Sequence, residues 1–131
     1  MKKFFIVCLT AFFILGCKSS FNTAPILNFE DQPVTSGMTM AKMEKCIILA
    51  GSELGWKIVK IKSGMMEGSI TRRGHTAVVS IPYSTKKYSI LYKNSSEGLY
   101  ADGQNIHKTY NTWVNNLDSR INVKINETLY E

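Results

Sequence analysis

The sequence predicts an α+β domain, a two-layer sandwich in which two amphipathic helices flank a four-stranded antiparallel meander. Apolar residues recur at helical spacing over 39–54 and again over 106–121. Between these segments lie four runs rich in β-branched and aromatic residues, separated by short polar links. Short links favour antiparallel pairing, because parallel strands need a crossover of about a dozen residues or more.

The first helix is predicted from Thr39 to Leu54. Thr39 suits the N-cap, since its hydroxyl can accept a hydrogen bond from a free backbone N–H group of the first turn. Gly55 follows at the position where helices commonly end in a left-handed residue. One apolar stripe is formed by Met40, Met43, Ile47, Ala50 and Leu54, with Cys46 beside it.

The four predicted strands are Trp56–Lys62, Met66–Arg73, His75–Tyr83 and Tyr88–Lys93. Each alternates between two faces; the third, for example, places Ala77, Val79 and Ile81 together. In the first strand, Trp56 and Ile58 share one face and Val59 and Ile61 share the other.

The second helix is predicted from Ile106 to Ile121, on a stripe that includes Tyr110, Trp113 and Leu117. Asn94–Asn105 is expected to be a loop, and the tail 122–131 to fray or add an edge strand. Residues 17–36 are expected to form a tether and lead-in to a domain that covers 37–131. Within that lead-in, 26–29 has the pattern of a short edge strand.

The N-terminus has the features of a cleaved secretory signal peptide over residues 1–16: Met1-Lys2-Lys3, then an apolar stretch from Phe4 to Leu15. That stretch is roughly 12 residues, too short for a membrane-spanning helix of about 20. Ile14-Leu15-Gly16-Cys17 resembles the bacterial lipoprotein box, although Leu15 stands where Ala, Ser or Thr is usual. The resemblance implies cleavage before Cys17 and acylation of its thiol.

The cysteines agree with this interpretation and leave one alternative open. Cys8 is lost with the leader and Cys17 would carry lipid, so Cys46 is left without a partner and is expected to be a small buried apolar residue. In an ordinary secreted protein, Cys17 and Cys46 would instead be available for a disulfide.

The net charge and the predicted location restrict the classes of molecule that the protein is expected to bind. The formal charge of +6 includes Lys2 and Lys3, so removal of the leader leaves +4 on 115 residues. A mildly basic envelope protein favours anionic envelope polymers or phospholipid head groups, or the charge serves solubility alone. Export separates the chain from nucleic acid. Lys18, rather than an acidic residue, follows Cys17, which favours the outer membrane, facing the periplasm, if the cell has two membranes.

The polar residues that stand out are two arginines and two histidines with an asparagine. Arg72, Arg73 and His75 surround one predicted hairpin, and His107 and Asn111 are four apart on the second helix. Tyr83 is predicted, with Arg72 and Arg73, to contribute to an exposed aromatic and basic surface. Two histidines alone do not make a metal site, and no catalytic motif is present, so neither a catalytic residue, a metal nor a cofactor is predicted.

A wider resemblance rests on the order of several short segments. These are Ala50-Gly51, Gly55-Trp56, Arg73–Val79, Ile81, Tyr83, Tyr88–Ile90, Ile106-His107, Tyr110-Asn111 and Trp113-Val114. Together they resemble a family of small bacterial lipoproteins that has no established activity. The resemblance covers roughly Met43 to Ile121 and implies a location, but no chemistry.

The expected function is therefore that of a lipid-anchored envelope module that binds a protein or an anionic polymer and is not an enzyme. Two alternatives stay open. A small-ligand carrier would need an apolar cavity between helices and sheet, and a small hydrolase would need His75 or His107 beside a nucleophile in a deep polar pocket.

Overall fold

The computed structural model describes residues 22–131, which form an α+β sandwich of two helices on one face of a mostly antiparallel sheet. The fold class expected from the sequence is confirmed. The predicted signal peptide and Cys17 lie outside the described residues. In the described part of the chain, no helix is long and apolar enough to cross a membrane.

The elements follow one another in a simple order. They are β1 (Thr23–Pro25), β2 (Phe29–Pro33), α1 (Met40–Glu53), β3 (Lys57–Lys62), β4 (Met65–Arg72), β5 (His75–Pro82), β6 (Lys87–Ser95), β7 (Asn105–His107) and α2 (Lys108–Leu129). Strands β3 to β6 form the expected meander, and β2 adds a fifth strand in the order β2-β6-β5-β4-β3. Strands β1 and β7 form a separate antiparallel pair.

Helix α1 has the ends that the sequence predicts. The Thr39 hydroxyl accepts a hydrogen bond from the backbone N–H of Lys42 at 3.2 Å, and Leu54 is the C-cap. Gly55 follows with φ +84°, a left-handed conformation that glycine adopts without steric cost. Met43, Cys46, Ile47 and Ala50 are buried along one face.

Helix α2 is longer than predicted, because the tail 122–131 neither frays nor forms a strand. The helix continues to Leu129, and Ile125 lies one turn beyond Ile121 on the same buried stripe. The weak alternation of Val123 and Ile125 was misleading: Val123 is exposed and Ile125 is buried, as a helical period requires.

The segment before α1 pairs with the rest of the domain. The edge strand predicted over 26–29 forms instead over Phe29–Pro33, where it pairs with β6, and β1 pairs with β7. Thus 23–33, expected to be a lead-in, lies against the domain rather than apart from it. The side chain of Asn111 on α2 helps to hold it there: Asn111 Oδ1 accepts from the Leu27 backbone N–H, and Nδ2 donates to the Pro25 carbonyl.

The core lies between the helices and the inner face of the sheet. Ala77, Val79 and Ile81 are all fully buried, which confirms the face predicted for β5. On β3, Val59 and Ile61 are 45% and 56% exposed, because they point to the outer face, which the helices leave uncovered. Alternation in the sequence therefore separated the two faces of the sheet correctly.

Candidate functional site

The β4–β5 hairpin places two arginines and a histidine next to one another. Arg72 and His75 are paired across the strands, so Arg73 and Gly74 alone make the turn. Both turn residues have positive φ, 51° and 78°. A two-residue type I′ turn requires this conformation, and its usual residues are Asn or Asp followed by Gly.

Arg73 is therefore an unusual choice at its position. A left-handed conformation brings the Cβ of an L-residue too close to the following carbonyl oxygen, at a cost of about 1 kcal/mol that glycine and asparagine largely avoid. The Arg73 side chain is exposed and forms no hydrogen bond or ion pair with another residue of 22–131. Nothing in the fold of the hairpin calls for an arginine here.

Arg72 has both a structural contact and a place in the cleft described below. Its Nη2 donates to the backbone carbonyl of Leu54 at 2.6 Å, at the C-terminal end of α1. The last carbonyl groups of a helix lack intrahelical partners and carry partial negative charge, so a guanidinium is favourable there. Arg72 thus fixes the hairpin against the end of α1.

A short 3₁₀ turn, Glu97–Leu99, covers His75. The Ser96 hydroxyl accepts from the Thr76 backbone N–H at 3.0 Å, and the Ser96 N–H donates to the Thr76 carbonyl at 2.8 Å. Leu99 is 1% exposed and anchors the turn in the core. A Cβ built at Gly98 would overlap the His75 ring, so glycine at this position makes room for the imidazole.

His107 is the N-cap of α2. Its Nδ1 accepts a hydrogen bond from the backbone N–H of Thr109 at 3.1 Å. This contact satisfies one of the free donors of the first helical turn. In the neutral imidazole the proton then resides on Nε2, which is left as a donor for another group.

These residues surround a cleft of about 460 Å³. Its basic lining is Arg72, Arg73, His75 and His107, and the remainder is Gly98, Leu99, Thr109 and Trp113. No carboxylate belongs to this lining within the described residues. Four of the six residues singled out from the sequence therefore meet at one place, although His107 is 32 positions from His75. We call this space the basic cleft.

A second cleft of about 300 Å³ adjoins the basic cleft. Arg72 and Trp113 line both, so the two clefts are adjacent, and we call them together the groove. Beyond Trp113 the second cleft is lined by Thr112, Asn116, Leu54, Trp56 and Ile70, again without a carboxylate in the described chain. Arg73 and the two histidines thus lie at one end of the groove only, and Arg72 and the half-buried Trp113 are common to both clefts.

Tyr83 and Asn111 do not lie in this groove. Tyr83, predicted to be exposed, is 6% exposed: its ring is buried, and its hydroxyl donates to Glu44 Oε1 at 2.8 Å. The same carboxylate forms an ion pair with Lys60 at 3.0 Å. We call Glu44, Lys60 and Tyr83 the Tyr83 cluster. Asn111 holds the N-terminal segment, as described above.

Sequence reasoning missed the contribution of Trp113. It belongs to the predicted apolar stripe of α2 and packs against the core, but it is only half-buried and also lines both clefts. Gly98 and Leu99 were also missed as site residues, since the 94–105 loop offers no pattern that places it over His75. The unusual arginine before Gly74 was the one local signal.

No group of three or more His, Cys, Asp or Glu side chains within residues 22–131 is arranged to hold a metal ion. Comparisons with protein-family models, with characterised proteins and with solved structures find nothing that matches this chain.

Proposed function

We propose that this chain is a lipid-anchored envelope protein that binds an anionic group in the basic cleft and is not an enzyme. The observation that carries the proposal is the composition of the cleft. Two arginines line it without a carboxylate from the described residues to balance them, and two histidines add ring nitrogens beside them. A ligand anion would supply the missing charge, and guanidinium groups match carboxylate and phosphate in charge and geometry.

The proposed anchor is a diacylated Cys17, with the leader 1–16 removed. Support comes from the lipoprotein box and from the resemblance to small bacterial lipoproteins. Two acyl chains suffice for stable membrane attachment at about 0.8 kcal/mol per buried methylene. The location that follows is the envelope, and Lys18 favours the outer membrane, with the domain in the periplasm and its basic cleft free to meet an anionic polymer.

A binding role is preferred to hydrolysis because of how the histidines are engaged. Nδ1 of His107 accepts from a backbone N–H rather than from a hydroxyl, and Gly98 covers His75. A nucleophile needs a base within hydrogen-bond reach that is itself oriented by a third group. No such set is recorded for either histidine in the described chain. A carrier role is disfavoured because packed side chains such as Met43, Ile47 and Met66 fill the space between helices and sheet.

The anchor is tested by the Cys17→Ala variant expressed in cells. The wild type is expected in the membrane fraction, with a first residue heavier than cysteine by the mass of its acyl groups. The variant is expected to lose that mass and to leave the membrane fraction. An unmodified Cys17 in the wild type, or a variant that fractionates as the wild type does, would refute the anchor.

Ligand binding is tested by crosslinking in cells from a diazirine side chain placed at Thr109, which lines the basic cleft. A matched control carries the same group at Lys87, an exposed position at the far end of β6. The proposal expects an anionic envelope component attached from position 109 and not from 87. Attachment of the same species from both, or of no anionic component from 109, would count against it.

A further inference from the structure

We infer that the ligand of the groove is an acidic glycan, with its carboxylate or phosphate in the basic cleft and a sugar ring against Trp113. The inference rests on the proposed function and narrows it. An anion alone would need only the arginines and histidines. The groove offers more than that, because an aromatic side chain and a second cleft adjoin the basic cleft.

The first observation is the position of Trp113. It lies at the junction of the two clefts, half-buried, next to Arg72. Aromatic side chains combine a large apolar surface with an electron-rich face, which suits the C–H face of a sugar ring. The hydroxyl of Thr112 and the amide of Asn116 line the second cleft, where sugar hydroxyls would find hydrogen-bonding partners.

The second observation is independent of the groove's shape. Arg73 adopts a left-handed conformation that asparagine or glycine would adopt with less strain, and it has no recorded partner in the described structure. Strained residues of this kind cluster at binding sites, where the side chain serves a purpose other than folding. At Arg73 the residue in this conformation carries a guanidinium that lines the basic cleft.

The size of the groove agrees with an extended ligand. Cavities of about 300–1,000 Å³ accommodate ligands of drug size. The two clefts have volumes of about 460 and 300 Å³ and share two lining residues. A chain of a few sugar units would run from the histidines past Arg72 and Trp113 to Asn116, with Arg73 in contact with one end only.

The test measures equilibrium binding by calorimetry to the full lipoprotein, purified from membranes in a non-ionic detergent. Four probes are compared: tetragalacturonic acid, pentamannosyl phosphate, neutral maltotetraose and linear tetrapolyphosphate. The inference expects an acidic sugar to bind at least about ten-fold more tightly than either maltotetraose or tetrapolyphosphate, which corresponds to about 1.4 kcal/mol. Whether the carboxylated or the phosphorylated sugar binds identifies the anionic group.

Two substitutions separate the contribution of the Arg73 charge to binding from that of the Trp113 ring. Arg73→Asn suits the turn and should weaken binding of the acidic sugar without loss of folding. Trp113→Leu should weaken binding of the acidic sugar but not of tetrapolyphosphate, and Trp113→Phe should restore it. Lys87→Gln, which removes one positive charge at the far end of β6, should have no effect.

The outcomes distinguish a failure of this inference from a failure of the proposed function. Equal or tighter binding of tetrapolyphosphate would overturn the glycan and leave an anion-binding cleft. An acidic sugar that binds the Trp113→Leu variant as tightly as the wild type would also overturn it. If neither acidic sugar nor tetrapolyphosphate binds, both the inference and the proposed anion site are wrong.

Discussion

The basic cleft and the Tyr83 cluster differ in whether a carboxylate lies beside their positive charge. In the Tyr83 cluster, Lys60 forms an ion pair with Glu44. Four other cations in the described chain are balanced similarly, by the pairs Lys87–Asp31, Lys93–Glu67, Arg120–Glu53 and Lys124–Glu53, whereas the remaining lysines of residues 22–131 form no ion pair. Arg73 lines the basic cleft and forms no ion pair with a carboxylate in the described chain. What distinguishes Arg73 is that its unpaired guanidinium belongs to the lining of a cleft, where it is available to a ligand.

The pKa values of the Tyr83 cluster express the same balance. Hydrogen bonds from Lys60 and Tyr83 lower the pKa of Glu44, and its carboxylate in turn raises the pKa of Lys60. Burial, followed by the hydrogen bond to Glu44, raises the pKa of Tyr83. These shifts favour the ionised carboxylate of Glu44 and the protonated forms of Lys60 and Tyr83. The cluster therefore connects α1 to the sheet and is not expected to bind anything else.

The largest effect is expected from Tyr83→Ala. Removal of a buried aromatic ring leaves a cavity and should lower the free energy of unfolding by about 3–5 kcal/mol. Tyr83→Phe keeps the ring and loses only the hydrogen bond to Glu44, so it should lower the free energy of unfolding by only about 1 kcal/mol. Urea unfolding measures both. If Tyr83→Ala instead weakened binding of an acidic sugar while stability was retained, the assignment of Tyr83 to the fold would be wrong.

The second effect has the opposite sign and comes from Arg73→Asn. Relief of the left-handed strain should raise the free energy of unfolding by up to about 1 kcal/mol. The same substitution should weaken binding of the anion. Thermal unfolding and calorimetry on the same preparation check the pair of results. A variant that is less stable than the wild type would show that Arg73 supports the fold through a contact of its own.

A smaller effect distinguishes two carboxylates by their response to pH. Asp118 accepts a hydrogen bond from the buried Tyr88 hydroxyl at 2.6 Å, yet burial raises the pKa of Asp118, whereas the pKa of Glu44 is lowered. Glu44 thus contributes stability that is present above its unfolded pKa of 4.5 and is lost as pH falls through its folded pKa. Asp118 does the reverse: stability falls as pH rises from 3.8 through its folded pKa.

Glu44→Gln should therefore be less stable than the wild type at pH 7, and the difference should shrink as pH falls below 4.5. Asp118→Asn should be at least as stable at pH 7, with a margin that disappears in acid, because its amide oxygen still accepts from Tyr88. Thermal unfolding midpoints from pH 3 to pH 7 measure both. Parallel pH profiles for the two variants would contradict the assigned pKa directions.

Much of the fold could be predicted because short-range patterns determine it. The helical period, the Thr39 cap and the alternation in β5 each follow from neighbours in the sequence. The extent of α2 was missed because its last turns are weakly apolar and depend on packing of Ile125 and Leu129 against the core. The position of β2 was missed because its pairing with β6 joins segments about 60 residues apart.

The site was only partly predictable for the same reason. Arg72, Arg73 and His75 are close in sequence, so a hairpin was enough to bring them together. His107 joined them because it caps α2 beside that hairpin. Tyr83 was wrongly predicted to be exposed. Its ring is buried and its hydroxyl donates a hydrogen bond to Glu44 on α1, a residue 39 positions away in the sequence. The place of Trp113 in the clefts was missed because a helical stripe does not reveal which of its members is only half-buried.

The uncompensated charge of the basic cleft can be measured directly through the fluorescence of Trp113. Trp56 is 4% exposed, so a soluble quencher reports mainly on the half-buried Trp113, and Trp113→Phe gives the background. At low ionic strength, where charges are least screened, iodide should quench more strongly than caesium. Arg73→Asn should reduce the iodide constant, and Lys87→Gln should not. Equal quenching by the two ions, or an equal reduction in both variants, would contradict the account.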